Sequence, residues 1–273
     1  MSETHTITHA TPGPVELALA ADVATVVVNA SPDYAFAQVT LNPEREGDDE
    51  ATRLVQAATM ESRGDRLTVT VPRSHSSGGT TVVRNHYGNV TVAGDMVVGS
   101  VVGMVIGGVN HGVTIVNDQF IDGSGTIVIG GGGGVRIHAT VPAGSTVTLT
   151  GRSPNLTARG ELAWVEAETV SGDLDVSAAS AVDLRTTSGD IDTDACGTVR
   201  AKTVSGDVKV RNLDGSAHVR TVSGDVAIRA VADSTVTAQT VSGDIDLAAP
   251  RGVEIDASTR SVSGRTSNRR WSA

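Results

Sequence analysis

Five aspartates recur at nearly constant spacing in the C-terminal half of the chain, and their carboxylates are the first groups that could do chemistry. Each ends a repeated phrase, Thr-Val-Ser-Gly-Asp or a close variant, and they are Asp173, Asp190, Asp207, Asp225 and Asp244. If the phrases stack, neighbouring carboxylates lie about 4.8 Å apart. Carboxylates this close repel one another unless water, basic side chains or a cation intervenes, and Ca²⁺ accepts several such oxygens. The spacing therefore indicates either ion pairing or a calcium site.

A second, basic column precedes the threonine of the phrase and faces the aspartates across the corner. It consists of Arg185, Lys202, Arg220 and Arg260. Ion pairs between the two columns explain the acidic ladder most simply. Calcium-binding solenoids use a nine-residue repeat, which this sequence lacks, so no cofactor is predicted. Calcium is kept as an alternative, with Asp190, Asp192 and Asp194 on the outward face of one strand as its candidate ligands.

Motifs for catalysis are missing from the sequence. It has no G-x-S-x-G elbow, no H-E-x-x-H zinc motif and no phosphate-binding G-x-x-x-x-G-K-[ST] loop, and its one cysteine is Cys196. Sugar-cleaving β-helices need a groove lined by aromatic side chains, but Phe, Trp and Tyr supply only two residues each. The chain is therefore predicted not to be an enzyme, with no catalytic residue.

The repeat itself predicts the fold, because each phrase lies between two short runs in which apolar and polar residues alternate. Its glycines are spaced by 17 to 21 residues and are Gly172, Gly189, Gly206, Gly224, Gly243 and Gly264. Two strands of about five residues cannot bury a face alone, so the units must stack on one another. We expect an all-β, single-stranded β-solenoid similar to a parallel β-helix, with a glycine at each corner for positive φ or close backbone approach.

Side chains along a strand alternate between its two faces, and this alternation places the threonine of each phrase on the inward side. These residues are Thr169, Thr186, Thr203, Thr221 and Thr240, followed by Ser261 in the last phrase. Stacking makes them a column, for which we expect a ladder of hydroxyl groups near the corner. A narrow interior of this kind has no room for large rings at every level, which agrees with the scarcity of aromatic residues.

The rest of the chain is predicted to serve the repeat region. Residues 1–80 form a β-rich capping region, residues 81–134 a Gly/Val-rich β segment, and residues 135–273 the solenoid with its C-terminal cap. Within the cap, a short helix is expected from about Asp49 to Ala57, with Asp48 or Asp49 as its N-cap. A terminal rung left uncovered would be an aggregating edge.

An uncharged stretch from residue 96 to 117 carries glycines at four-residue intervals: Gly99, Gly103 and Gly107. We expect extra β-rungs here, since the flanking sequence resembles strands. The alternatives are an apolar edge for self-association and a membrane helix pair, which a G-x-x-x-G face would allow.

The charge balance and the N-terminal sequence bear on partners and location. A net charge of −10 repels polyanions, so nucleic acid is not expected as a partner. The first residues lack a basic segment, and Pro12, Pro14 and Glu16 interrupt the apolar run that follows. This pattern predicts a cytoplasmic protein.

The phrase and its surroundings resemble the bacterial β-strand-repeat proteins called putative adhesins, a family of unknown function with repeated S-G-D-[VIL] corners. The resemblance covers about Val135 to Gly264 and includes Val141-Pro-Ala-Gly-Ser-Thr-Val-Thr-Leu149. The family implies a β-solenoid, and its name implies display at the cell surface. The chain is therefore predicted to be an adhesin-like structural and interaction module, displaying charged ladders to a protein or cell-envelope partner. The alternatives are a self-assembling cytoplasmic β-helical scaffold and a calcium-binding β-roll.

Overall fold

The alternation of apolar and polar residues produces strands over most of the chain. The computed structural model describes residues 4–73 and 134–271, and between them only the backbone of short strands. The chain folds as two compact units, one made of residues 1–73 with 133–273 and the other of residues 74–132. The region boundaries predicted at residues 80 and 134 stay predictions.

The first unit begins with six strands and one helix. They are β1 (His5–Thr8), β2 (Glu16–Ala20), β3 (Val23–Ser31), β4 (Gln38–Pro43), α1 (Asp49–Ala57), β5 (Thr59–Arg63) and β6 (Arg66–Thr70). The second unit contains β7 (Thr80–Arg84), β8 (Val90–Ala93), β9 (Thr114–Val116), β10 (Gln119–Ile121) and β11 (Ile127–Ile129). In it, β9 and β10 pair antiparallel, as do β7 with β8 and with β11.

The first unit continues through the repeats. Its remaining strands are β12 (Val135–Pro142), β13 (Thr146–Thr150), β14 (Ser153–Glu168), β15 (Leu174–Arg185), β16 (Ile191–Lys202), β17 (Val208–Arg220), β18 (Val226–Ala230), β19 (Ser234–Ser242), β20 (Ile245–Pro250), β21 (Ile255–Ser263) and β22 (Thr266–Trp271). The uncharged stretch 96–117 lies outside the described residues, apart from the backbone of β9. No helix in the described part of the chain is long and apolar enough to cross a membrane.

The repeat strands lie in two stacks that meet at the repeat corner. Stack A holds the strands that follow the corner, and its register runs Leu174, Ile191, Val208 from rung to rung. Stack B holds the strands that precede it; the long strands β14 to β17 run through both stacks. All pairings from β13 to β22 are parallel. The all-β solenoid prediction is confirmed.

N-terminal strands contribute rungs of the same solenoid. Strand β2 pairs in parallel with β13 and β6, and β3 lies in parallel between β12 and β14. The N-terminal end is then closed by the antiparallel strands β4 and β1 on stack A and β5 on stack B. Strand pairing thus runs continuously from the N-terminal strands into the repeats.

Helix α1 forms where the sequence predicts it. The Asp48 carboxylate accepts hydrogen bonds from the backbone N–H groups of Glu50 and Ala51 at 3.0 and 2.9 Å, which caps the first turn. Leu54 and Val55 are buried against the solenoid core. The helix prediction and its Asp48 cap are confirmed.

Aliphatic columns fill the interior. One column in stack A consists of Leu156, Leu174, Ile191, Val208, Val226 and Ile245, and every member is at most 1% exposed. No aromatic side chain belongs to the buried core of the described residues. Full burial of one such aliphatic side chain contributes about 1.5–3 kcal/mol, so the columns are the main source of stability.

The last rung ends these columns with polar side chains. In register with Ile245, Leu247 and Ala249 of β20 lie Thr266, Asn268 and Arg270 of β22, and all three are exposed. In stack A the final strand therefore covers the apolar interior but does not offer an apolar face to a further rung. In stack B, β21 ends the corresponding columns with Ala257 and Thr259, in register with Val236 and Ala238.

Candidate functional site

The repeat corner brings the predicted site residues together, because backbone hydrogen bonds continue around it from rung to rung. Parallel bridges join the serines of successive phrases, Ser171 to Ser188 and then onward to Ser205, Ser223 and Ser242. The N–H of Gly189 donates to the carbonyl of Ser205 at 3.2 Å, for example. The corner is therefore a structural continuation of the strands that fixes every side chain on it in a column.

Close backbone approach explains the corner glycines. A Cβ placed on Gly206 would overlap the carbonyl oxygen of Gly189, and one on Gly224 would overlap that of Gly206. The same holds at Gly189, Gly243 and Gly264, and at Gly172 against the carbonyl of Pro154. Of the two reasons the sequence offers for these glycines, the structure shows close approach at all six.

The five corner aspartates form a hydrogen-bonded ladder. Each carboxylate from Asp173 to Asp225 accepts a hydrogen bond from the backbone N–H of the next corner aspartate, at 2.7–3.0 Å. The side-chain oxygen of Asn155 begins the ladder by accepting from the N–H of Asp173, and Asp244 ends it by accepting from the N–H of Arg265. Each carboxylate thereby satisfies a backbone donor at the turn of the next rung.

The expected ion pairs between the acidic ladder and the basic column are not formed. Within the described residues, no salt bridge joins the two columns, and Arg185 pairs at 2.8 Å with Asp183 on its own strand. The physical reason is direction. The carboxylates turn along the solenoid axis toward the next N–H group, whereas the basic side chains leave the outer face of stack B before the corner begins.

The calcium candidates each have a protein partner. Asp190 belongs to the ladder, Asp192 forms an ion pair with Arg211 at 2.5 Å, and Asp194 accepts a hydrogen bond from Asn212 at 2.6 Å. No group of three or more His, Cys, Asp or Glu side chains is arranged to hold a metal ion among the described residues. Burial raises the pKa of Asp192 above its ordinary value, and the neighbouring Arg211 opposes this effect.

The inward threonines are buried, as parity predicts, but their hydroxyls do not bond to one another. All five are at most 6% exposed. The hydroxyl of Thr240 donates to the carbonyl of Gly224 at 3.4 Å, and Ser261 does the same to Gly243 at 2.9 Å. Thr186 likewise donates to the carbonyl of Val170 at 3.5 Å, whereas the buried hydroxyls of Thr169, Thr203 and Thr221 have no hydrogen-bond partner among the described residues. The expected ladder of hydroxyls is therefore not what links the rungs.

A basic surface covers the outer face of stack B beside the corner. It consists of Arg185, Arg200, Lys202, His218 and Arg220. Arg185, Lys202 and Arg220 lie directly opposite one another on adjacent strands, as do Arg200 and His218. Like charges in register destabilise a sheet, and within the described residues Arg200, Lys202 and Arg220 take part in no ion pair. Arg185 is offset by its ion pair with Asp183, which also lies opposite Arg200 on the adjacent strand, so the positive charge without an ion-pair partner is that of Arg200, Lys202 and Arg220. It stands on a chain of net charge −10.

Sequence reasoning found three members of this surface and missed two. Arg200 and His218 stand two residues before Lys202 and Arg220, so the same alternation already placed them on the outer face. The missing step was to compare neighbouring columns of the repeat as well as positions within one column.

A column of exposed valines follows the basic column across the corner. Its members are Val170, Val204, Val222, Val241 and Val262, which are 42–69% exposed, with Thr187 at the same position in the second phrase. They make up five of the nine large apolar side chains that are exposed in the described part of the chain. This concentration in a single column is a feature that sequence reasoning also missed, although the phrase itself contained the signal.

Three solved structures of other proteins align over almost the whole chain. A putative adhesin from Bacteroides fragilis aligns over 98% of this chain and 97% of its own, with a TM-score of 0.55 at 11% identity. A putative lipid binding protein from Parabacteroides distasonis aligns over 97% of this chain and 96% of its own, with a TM-score of 0.48 at 12% identity. A putative adhesin from Parabacteroides merdae aligns over 97% of this chain and 96% of its own, with a TM-score of 0.34 at 11% identity. No curated protein matches the chain.

The match with B. fragilis shows a shared fold, and the resemblance to the putative-adhesin proteins is confirmed. A family model described as Toastrack DUF4097 matches residues 48–270, which is most of the chain. The chain therefore belongs to the Toastrack DUF4097 family.

Proposed function

We propose that the chain is a non-enzymatic β-solenoid that works as a structural and interaction module, displaying its charged ladders to a protein or cell-envelope partner. The observation that carries this proposal is the basic surface, where Arg185, Lys202 and Arg220 stand in register on adjacent strands. Arg185 pairs with Asp183, but within the described residues Lys202 and Arg220 have no ion pair that offsets their mutual repulsion in the free chain. A negatively charged partner would reduce this repulsion, so the basic surface is suited to binding such a partner.

The acidic ladder supports the non-enzymatic part of the proposal. Its carboxylates are engaged with backbone N–H groups of the next rung, for example Asp190 with Asp207. Groups engaged in this way hold the corners together, and their repetition at every rung follows from the fold. A structural role of this kind at every corner supports a non-enzymatic module.

The polar last rung favours display over end-to-end assembly. A scaffold that grows by stacking needs an apolar terminal face, but Thr266, Asn268 and Arg270 occupy the inward positions there. No observation favours the calcium-binding alternative, which a melting curve tests directly. That alternative requires a large rise in melting temperature with Ca²⁺ and none with Mg²⁺.

Two observations suggest different locations for the partner. The similar solved structure from Bacteroides fragilis is named a putative adhesin, which supports a partner at the cell surface. The N-terminal sequence instead predicts a cytoplasmic protein. Fractionation of cells, with immunodetection of the full chain, would distinguish an envelope fraction from the cytosol.

Co-sedimentation with isolated cell envelopes and with cytosolic protein from the source cells tests the function. We expect saturable binding that weakens as salt rises, because exposed charges are screened. The variant carrying Arg200→Gln, Lys202→Gln and Arg220→Gln should lose it. A control variant with three exposed arginines elsewhere replaced, Arg53→Gln, Arg63→Gln and Arg159→Gln, should bind like wild type. Equal binding by all three proteins would contradict the proposal.

A further inference from the structure

The corner presents its side chains in parallel columns with a fixed order. Along the chain the basic column comes first, the exposed valines second, and the aspartate ladder last, as in Lys202, Val204 and Asp207 of one rung. An apolar column thus lies between one of positive and one of negative charge. We call these three columns together the corner surface.

The valine position has no structural need for an apolar side chain. Thr187 occupies it in the second phrase, and the surrounding backbone bridges are the same there as at Val204. An apolar residue nevertheless stands at this exposed position in the other five phrases. Apolar side chains that gather in one exposed patch indicate a contact surface.

The charges flanking the valines select the kind of partner. The surface has basic residues on one side of the apolar column and acidic residues on the other, so a complementary surface must have the opposite order. A second copy of the chain has this order when it is turned by 180° about an axis parallel to the solenoid axis. Rungs of the two copies then lie at the same level, and the basic column of each faces the aspartate ladder of the other.

We propose that the corner surface joins two copies of the chain side by side in a parallel dimer, with valine packed on valine along the two-fold axis. In this arrangement Arg185 faces Asp190 of the second copy, Lys202 faces Asp207, and Arg220 faces Asp225. The proposal rests on the proposed function, since it names a second copy as one partner of the charged ladders. Arg200, further from the corner, stays outside the contact.

The opposite orientation is disfavoured by the same charges. A two-fold axis perpendicular to the solenoid axis would place basic column against basic column and ladder against ladder. In the parallel dimer, like charges face one another at the two ends of the solenoid. Glu168 would face Asp173 in the first rung, and Arg260 would face Arg265 in the last. The contact is therefore centred on the three middle rungs.

Sedimentation equilibrium of the full chain tests the dimer. We expect a mass of twice 27.8 kDa that falls toward 27.8 kDa as salt rises. Replacement of Val170, Val204, Val222 and Val241 by threonine should give a monomer that melts like wild type, because Thr187 already occupies the position. A wild-type monomer at all concentrations, or a dimer that survives the four replacements, would overturn the proposal.

The charged flanks can be tested without disturbing the corner. Asp207→Asn with Asp225→Asn removes two charges but keeps the side-chain oxygen that accepts the backbone hydrogen bond, as Asn155 does at the start of the ladder. Two ion pairs are lost from each copy, so we expect the dissociation constant to rise about tenfold at low salt. An unchanged constant would overturn the arrangement of facing columns.

Disulfide cross-linking determines the orientation. In a Cys196→Ala background, Val170→Cys and Val241→Cys chains should each form linked dimers alone, because a parallel dimer places each position opposite itself. Linking only in a mixture of the two chains would show an antiparallel pair and overturn the proposal. Envelope binding by the valine-to-threonine variant separates the two proposals, since that variant keeps the whole basic surface and should bind if the proposed function is correct.

Discussion

The carboxylate of Asp190 accepts a hydrogen bond from the backbone N–H of Asp207, one rung further along the solenoid, at 2.8 Å. The contact repeats along the ladder from Asn155, an amide, to the N–H of Arg265. Because an amide oxygen can begin the ladder, the acceptor atom and its position matter more than the charge. The repeated aspartate is thus explained by the need to satisfy one backbone donor at every corner.

Replacement of Asp207 separates the contribution of the hydrogen-bond acceptor from that of the negative charge. Asp207→Ala leaves the N–H of Asp225 without its acceptor and should lower the free energy of unfolding by about 1 kcal/mol. Asp207→Asn keeps an acceptor oxygen and should stay within a few tenths of a kcal/mol of wild type. Urea denaturation measures both. If the asparagine variant were as unstable as the alanine variant, charge would be the stabilising property of the ladder.

The corner glycines should be far more sensitive than glycines in open turns. Gly206→Ala places a Cβ against the carbonyl oxygen of Gly189, and neither backbone can move without opening the ladder. We expect a loss of at least about 3 kcal/mol, or failure to fold. The control is Gly47→Ala, where φ is +81° and an added Cβ meets nothing within 4 Å. Its cost should be about 1–2 kcal/mol.

Much of the fold followed from the sequence because stacking converts a repeat into columns. Parity placed Thr203 and its equivalents on the inside, and all of them are buried. The helix α1 followed from its local capping signal at Asp48. Both inferences use only the neighbours of a residue along the chain, and these determine which face of an element it occupies.

The candidate site was harder to predict, because the direction of a side chain within its column depends on competing partners. Asp207 lies near the basic column in sequence, but its nearest unsatisfied donor is the N–H of the next rung. The prediction that these residues stack in columns was therefore correct, but the prediction of ion pairs between the two columns was wrong. The exposed valines were overlooked for a related reason, since Val204 adjoins the buried Thr203 and its exposure depends on the geometry of the corner.

Asp192 should weaken the folded state at neutral pH. Burial raises its pKa in the folded protein, so the folded state holds this proton more tightly than the unfolded chain does. The resulting stabilisation is present below the unfolded value of 3.8 and is lost as pH rises through the raised folded value. At pH 7 the ionised carboxylate is therefore a cost, partly offset by Arg211, and Asp192→Asn should raise the free energy of unfolding by up to about 1 kcal/mol.

Urea denaturation at pH 7 and at pH 4 checks this prediction, because the gain should shrink as Asp192 becomes protonated. The matched control is Asp246→Asn. Asp246 occupies the same outward column and pairs with Arg269 at 3.0 Å, but its side chain is 42% exposed against 27% for Asp192. At pH 7 the control should be neutral or slightly destabilising. An equal gain from both replacements would show that burial of Asp192 is not the cause.

Cys196 should be chemically inert in the folded protein. It is 3% exposed within strand β16, next to the register irregularity between β16 and β17, and burial raises the pKa of its thiol from 9.0 to about 11. At pH 8 the thiolate fraction then falls from about one in ten to about one in a thousand, which slows modification by a thiol reagent about a hundredfold. Labelling with such a reagent should become fast only after unfolding. Rapid labelling of the native chain would show that β16 opens readily around Cys196.

The same shift makes stability depend on alkaline pH. A raised folded pKa means that burial of the neutral thiol stabilises the protein below about pH 9, and that this contribution is lost as pH rises toward 11. The control is Cys196→Ala, which the column tolerates because Ala179 is in register with Cys196 and Ala230 lies further along it. Wild type should lose about 2 kcal/mol relative to this variant between pH 9 and 11. Parallel curves for the two proteins would mean that other groups dominate alkaline unfolding and that the buried thiol ionises without cost.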